Sequence, residues 1–77
     1  MTSINAALGK EVGLKVGDTV EVITDNWAPL AAERGDRGEA LRFSTNGSVI
    51  YVYVAVPKVK GGFAFASYEV RKIEADT

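Results

Sequence analysis

The chain has 77 residues, nine of them basic and ten acidic, a net charge of -1 and a hydrophobic content of 47%. That is the length of one domain, too apolar for disorder, and without the clustered positive charge of a dedicated nucleic-acid binder. It has no cysteine and no histidine, which excludes disulfides, thiolate metal sites and cysteine nucleophiles and removes the usual general base, the usual pH switch and the commonest zinc ligand.

Residues 1–13 read differently from the rest. Ile4, Leu8 and Val12 recur at a spacing of four, which suits a short helix behind a Ser3 cap. Helices of this length are marginal alone, and Gly9 interrupts the pattern, so a docked helical turn and a loose arm both remain open. The opening Met1-Thr2-Ser3-Ile4-Asn5 lacks the basic region and apolar core of a signal peptide. No run approaches the ~18 apolar residues of a membrane helix, so the cytoplasm is the expected location.

From Leu14 the period changes to that of strands. Val16-Gly17-Asp18 is a turn, and Thr19 to Thr24 alternates with Val20 and Val22 on one face. Residues 25–37 carry Asp25, Asn26, Pro29, Gly35 and Asp36 and form a long loop. Gly38 opens a second strand with Leu41 and Phe43 on one face and Arg42 on the other. Asn46-Gly47 predicts a type I′ hairpin turn, with both residues at positive φ.

The third strand, Val49 to Val56, places Ile50, Val52, Val54 and Val56 on one face and Val49, Tyr51, Tyr53 and Ala55 on the other. Both faces are apolar, so the second is either covered or a contact surface. Pro57 ends that strand, and Lys58-Val59-Lys60-Gly61-Gly62 reads as a turn. Phe63 and Phe65 alternate along a fourth strand, Ser67-Tyr68-Glu69 reads as a turn or a single 3₁₀ turn, and Val70 to Glu74 as a fifth strand. Five short strands in about sixty residues are too few for a sandwich. The expected class is therefore all-β: an arm or short helix over 1–13, a small closed barrel over 14–74 and a tail over 75–77.

Two stretches carry a family resemblance. Leu14-Lys15-Val16-Gly17-Asp18-Thr19-Val20-Glu21-Val22-Ile23, followed by Gly35-Asp36-Arg37-Gly38-Glu39-Ala40, resembles the opening of KOW-type and related SH3-like barrels. Phe65-Ala66-Ser67-Tyr68-Glu69-Val70 is similar to the ending of the SH3-like subunit family of photosystem I, where a 3₁₀ turn leads into the last strand. The resemblance implies a five-stranded SH3-like barrel. The peptide-groove residues of eukaryotic SH3 domains are not recognisable here, and only the fold is carried over.

For chemistry, the candidates are few. Trp27, Tyr51 and Tyr53 are the aromatic anchors of an expected partner-binding surface, because aromatics supply large contact area at low entropic cost. Arg34 and Arg37 lie in a charged stretch with Glu33, Asp36 and Glu39, read either as a recognition loop or as a solvated turn. Lys58, Lys60, Arg71 and Lys72, beside Phe63 and Phe65, would be the contacts of a nucleic-acid-binding alternative, or else guards of a sheet edge. Gly61-Gly62 lacks the Walker pattern of a phosphate loop. Nothing fixes a carboxylate pair such as Asp18 and Asp25 across a cleft, and the charged stretch lacks the ligand density of a calcium loop.

The expectation is thus a protein that is not an enzyme and uses no cofactor or metal. It would be a protein-binding module, either an accessory subunit or a small regulator or inhibitor of the kind viruses and mobile elements encode. It would dock on a larger protein and have no membrane role. A KOW-type nucleic-acid binder and a self-associating homodimer are the alternatives.

Overall fold

The computed structural model describes residues 4–28 and 30–73. The expected Ser3 cap, Pro29, the end of the last strand at Glu74 and the 75–77 tail lie outside the described residues. The elements run α1 (Ile4–Val12), β1 (Thr19–Val22), β2 (Arg37–Thr45), β3 (Ile50–Val56), β4 (Val59–Ala66), a 3₁₀ turn (Ser67–Glu69) and β5 (Val70–Lys72). The fold is all-β with a short N-terminal helix.

Of the two readings of the N-terminal segment, the docked helix is the one present. Gly13, at φ 74°, ends it. The Leu14 N–H donates to the Gly9 carbonyl (2.8 Å) and the Gly13 N–H to the Lys10 carbonyl (3.3 Å), the paired bonds of a Schellman motif. The motif turns Leu14 back into the core beside Leu8, while Ile4, at the other end of the expected stripe, remains 71% exposed. Gly9 proves to be a packing requirement: a Cβ there would lie 2.8 Å from the Phe43 ring and 2.5 Å from the Leu14 carbonyl oxygen. The missing side chain is what lets α1 lie against β2.

One turn design is used twice. In Lys15-Val16-Gly17-Asp18 and in Glu33-Arg34-Gly35-Asp36 the fourth N–H donates to the first carbonyl at 3.0 Å. The aspartate carboxylate in turn accepts the first N–H, at 2.9 and 3.0 Å. Gly17 (φ 98°) and Gly35 (φ 96°) take the third position, where a type II turn needs positive φ. The turns lead into β1 and β2, and each bonds across to the other strand. Gly17 N–H donates to Ala40 and Gly35 N–H to Val22, while Ala40 N–H donates to Asp18 and Val22 N–H to Asp36, all at 2.8 Å. β1 ends at Val22, short of the expected Thr24, although the Ile23 N–H still donates to the Glu69 carbonyl (2.9 Å) in register with β5.

The strands form one antiparallel sheet in the order β4-β3-β2-β1-β5. β2 serves both halves: Arg37 to Glu39 pair with β1, and Ala40 to Thr45 with β3. The expected closed barrel is corrected here. Among the described residues β4 and β5 do not pair and the sheet is open. The 3₁₀ turn carries the chain directly from one edge to the other, and the three residues of β5 are all paired with β1 or beside it.

Three local readings also change. Ala40 pairs with Val54 and Arg42 with Tyr53, so Leu41 is an extra residue in a bulge. Ala40 and Phe43 therefore face the core, and Leu41 is only half-buried. Asn46-Gly47 is not a type I′ turn, because only Gly47 has positive φ. Thr45 pairs with Ile50, and the intervening loop is held by the Asn46 Oδ1, which accepts the N–H groups of Ser48 and Val49 at 2.9 Å each. The turn after Pro57 is also shorter than expected, since Val56 already pairs with Val59. Gly61 and Gly62 lie within β4 at φ 85° and 94°, where they absorb a second bulge opposite Ala55.

The core is small and combines aliphatic residues with two phenylalanines. Val20, Val52, Val54 and Phe65 are fully buried, joined by Val22, Ala40, Phe43 and Val70, with Leu8 and Leu14 supplied from the helix and its cap.

Candidate binding surface

Alternation in β3 and β4 divides the aromatic residues between two faces. Val54 pairs with Phe63 and Val52 with Phe65, so these four share the core face. Tyr53 pairs with Ala64 and with Arg42, and Tyr51 with Ala66 and Ser44, on the outward face.

On the core side, Trp27 is half-buried against the core cluster. Its ring meets Phe63 edge-to-face with centroids 5.1 Å apart, and Phe63 meets Phe65 in the same way at 5.1 Å. Its indole N–H donates to Glu69 Oε1 (3.0 Å), which also accepts the Ala66 N–H (2.9 Å). The other oxygen of Glu69 accepts from Asn26 Nδ2 (3.0 Å). Glu69 is only 5% exposed. Burial pushes its carboxyl up, but the hydrogen bonds from Asn26, Trp27 and Ala66 outweigh it and hold the group below the ordinary glutamate value. This buried carboxylate fastens the long loop to the 3₁₀ turn. Sequence reasoning passes over it as a turn residue. The one signal available is an acidic residue inside the apolar run from Phe63 to Val70.

On the outward face both tyrosines are half-buried, as Trp27 is, and held in place. The Tyr51 hydroxyl accepts from Asn46 Nδ2 at 3.2 Å. The Arg42 guanidinium stacks over the Tyr53 ring, 4.0 Å from its centroid. The cross-strand neighbours Ser44 and Ala64 are small.

The residues expected to act together are therefore not together. Tyr51 and Tyr53 form an outward pair with Arg42, which the sequence marks only as lying opposite Leu41 and Phe43. Trp27 belongs to the core face. Arg34 is exposed in the loop and bonded to Asp25, Nη2 to Oδ2 at 3.1 Å. Arg37 begins β2 opposite Glu21, in the other half of the sheet.

The basic residues are distributed too. Lys58 lies 4.0 Å from Glu33, Arg71 2.8 Å from Glu21 and Lys72 3.6 Å from Asp18. Lys58 and Lys60 flank the start of β4, and Arg71 and Lys72 lie on β5, at the two ends of the strand order. Phe65 is fully buried and Phe63 packs against Trp27, so neither ring stands free as a stacking platform for a base. Among the described residues no group of three acidic side chains converges as a metal site, and no helix is long and apolar enough to cross a membrane.

No protein-family model, curated protein or solved structure matches the chain.

Proposed function

We propose that the chain is a non-catalytic protein-binding module, an accessory subunit or small regulator, which docks the outward face of β2, β3 and β4 on a larger protein. One observation carries this reading: Tyr51 and Tyr53 are half-buried on the face of the sheet opposite the core, and both are held in place by exposed neighbours. Tyrosine and arginine dominate binding hot spots, and a pre-ordered side chain spends little entropy on docking. The complementary partner surface is an apolar patch bordered by a carboxylate facing Arg42.

The Gly-Asp turns before β1 and β2 and the 3₁₀ turn before β5 support placing the fold among SH3-like small barrels, here as an open variant. The nucleic-acid alternative is less well supported, since Lys58, Arg71 and Lys72 each have a carboxylate neighbour.

The test is affinity capture from a nuclease-treated lysate with the wild-type chain and with Tyr51→Ser/Tyr53→Ser, after the variant is shown to keep its far-UV circular dichroism. A protein retained in near-equal amount by the wild type and lost with the variant is the expected result. Retention by both moves the interface elsewhere. A concentration-dependent dimer abolished by the same variant makes the partner a second copy of the chain.

A further inference from the structure

A groove of about 630 Å³ runs between α1, its C-terminal turn and the sheet. Its apolar lining comes from Ala6 on α1, Leu14 and Val16 in the turn and Phe43 on β2. Three lysines complete it: Lys10 on α1, Lys15 in the turn and Lys72 on β5. The volume lies within the roughly 300–1,000 Å³ of small-ligand sites, which share this plan of apolar walls and a few polar groups that fix orientation.

The charges are one-sided. All three lysines are exposed. Among the described residues Lys10 and Lys15 form no ion pair, and Lys72 has one partner, Asp18, at 3.6 Å. The Asp18 Oδ2 that faces Lys72 also accepts the Lys15 N–H (2.9 Å); it offsets the charge of Lys72 and leaves Lys10 and Lys15 as the uncompensated cations of the groove. Two uncompensated ammonium groups, with Lys72 beside them, around an apolar trough are complementary to one ligand chemistry: a single anionic head joined to an apolar body. A neutral amphiphile leaves the lysines without a counter-charge, and a cationic one is repelled.

We infer that this groove is a binding site for a small carboxylate amphiphile, its acyl or aryl body against Phe43, Leu14 and Val16 and its carboxylate among Lys10, Lys15 and Lys72. Phe43 faces the core side of β2, whereas Tyr51 and Tyr53 face outward, so the site is separate from the proposed docking face and stands or falls independently of it.

The experiment is a ¹H–¹⁵N NMR titration of the full chain with dodecanoate below its micelle concentration, set against decyl maltoside as the neutral control and dodecyltrimethylammonium as the cationic one. Two variants accompany it, each first shown to keep a dispersed spectrum. Ala6→Trp fills the groove from an exposed helix position, and Lys10→Gln/Lys15→Gln removes two of the charges. The expected result is saturable one-to-one binding of dodecanoate with shifts confined to residues 6–16, Phe43 and Lys72. The lysine variant should weaken it about tenfold, as for the loss of charge-assisted contacts, and Ala6→Trp should abolish it. Non-saturable shifts, equal affinity for either control, undiminished binding by Ala6→Trp, or shifts centred on Tyr51 and Tyr53 would each overturn the proposal.

Discussion

The two faces of β3 and β4 carry aromatic groups of similar composition and opposite fate. On the core face, Trp27, Phe63 and Phe65 interlock, and the one polar atom among their rings, the indole nitrogen, donates to a buried carboxylate. On the outward face, Tyr51 and Tyr53 are half-buried and braced by Asn46 and Arg42, which are themselves exposed. The difference lies in the neighbours. An aromatic ring whose polar atom is satisfied by a buried partner is part of the fold. One that is held only by exposed surface residues can take a partner's contacts in their place. Trp27, the most obvious candidate by residue type, is on the structural side of that division.

Glu69→Ala is the sharpest way to break the core face. It leaves the donors of Trp27, Asn26 and Ala66 without their acceptor and should cost about 3 kcal/mol in urea unfolding, since each unsatisfied buried group costs about 1–3 kcal/mol. Trp27→Phe removes one donor and part of a packed ring and should cost about 1.5 kcal/mol by the same measurement. A loss below about 0.5 kcal/mol, within the range of ordinary surface substitutions, would return Trp27 to the list of binding residues. On the outward face, Tyr51→Ser/Tyr53→Ser should cost about 1 kcal/mol, because half-buried rings forfeit only part of a full burial, yet it should remove partner capture. Arg42→Ala should cost least, about 0.5 kcal/mol, the value of an exposed cation–π contact.

Acid sharpens the same contrast. The folded-state pKa of Glu69 is lowered, so the stability it contributes is fully present above the unfolded glutamate value of about 4.3 and is lost as pH falls through the lower folded value. Glu69→Gln should flatten the acid limb of the stability profile below the unfolded glutamate value relative to the wild type. A profile unchanged by the substitution would mean that the acid sensitivity arises elsewhere.

What can be read from the sequence is whatever depends on near neighbours. The spacing of Ile4, Leu8 and Val12 leads to the helix, alternation leads to the strands, and Ser67-Tyr68-Glu69 to the 3₁₀ turn. The readings that change all depend on residues far along the chain. Whether Leu41 is an extra residue is decided by Val54 and Tyr53 on the facing strand. Gly61-Gly62 looks like a turn until Val56 is seen to pair with Val59. Glu69 reads as a turn residue until the loop brings Asn26 and Trp27 to it from more than forty residues away. At the candidate surface, the tyrosine pair follows from the two-residue period of β3, but the separation of Trp27, Arg34 and Arg37 from it requires knowing where the long loop goes.

The repeated Gly-Asp turn has a consequence for misfolding. β1 is four residues long and aligns only three of them with β2, a ladder short enough to slide. A slide of one position would turn Val20 and Val22 out to water. The two turns, related by an approximate two-fold axis, clamp the ladder at both ends through bonds to Ala40 and Val22. A one-residue slip would therefore forfeit four backbone bonds at once. The pair works as a proofreading device: it makes the alternative alignments of a short strand poor competitors, and so keeps a small open sheet from presenting a wrongly turned apolar edge to its own copies.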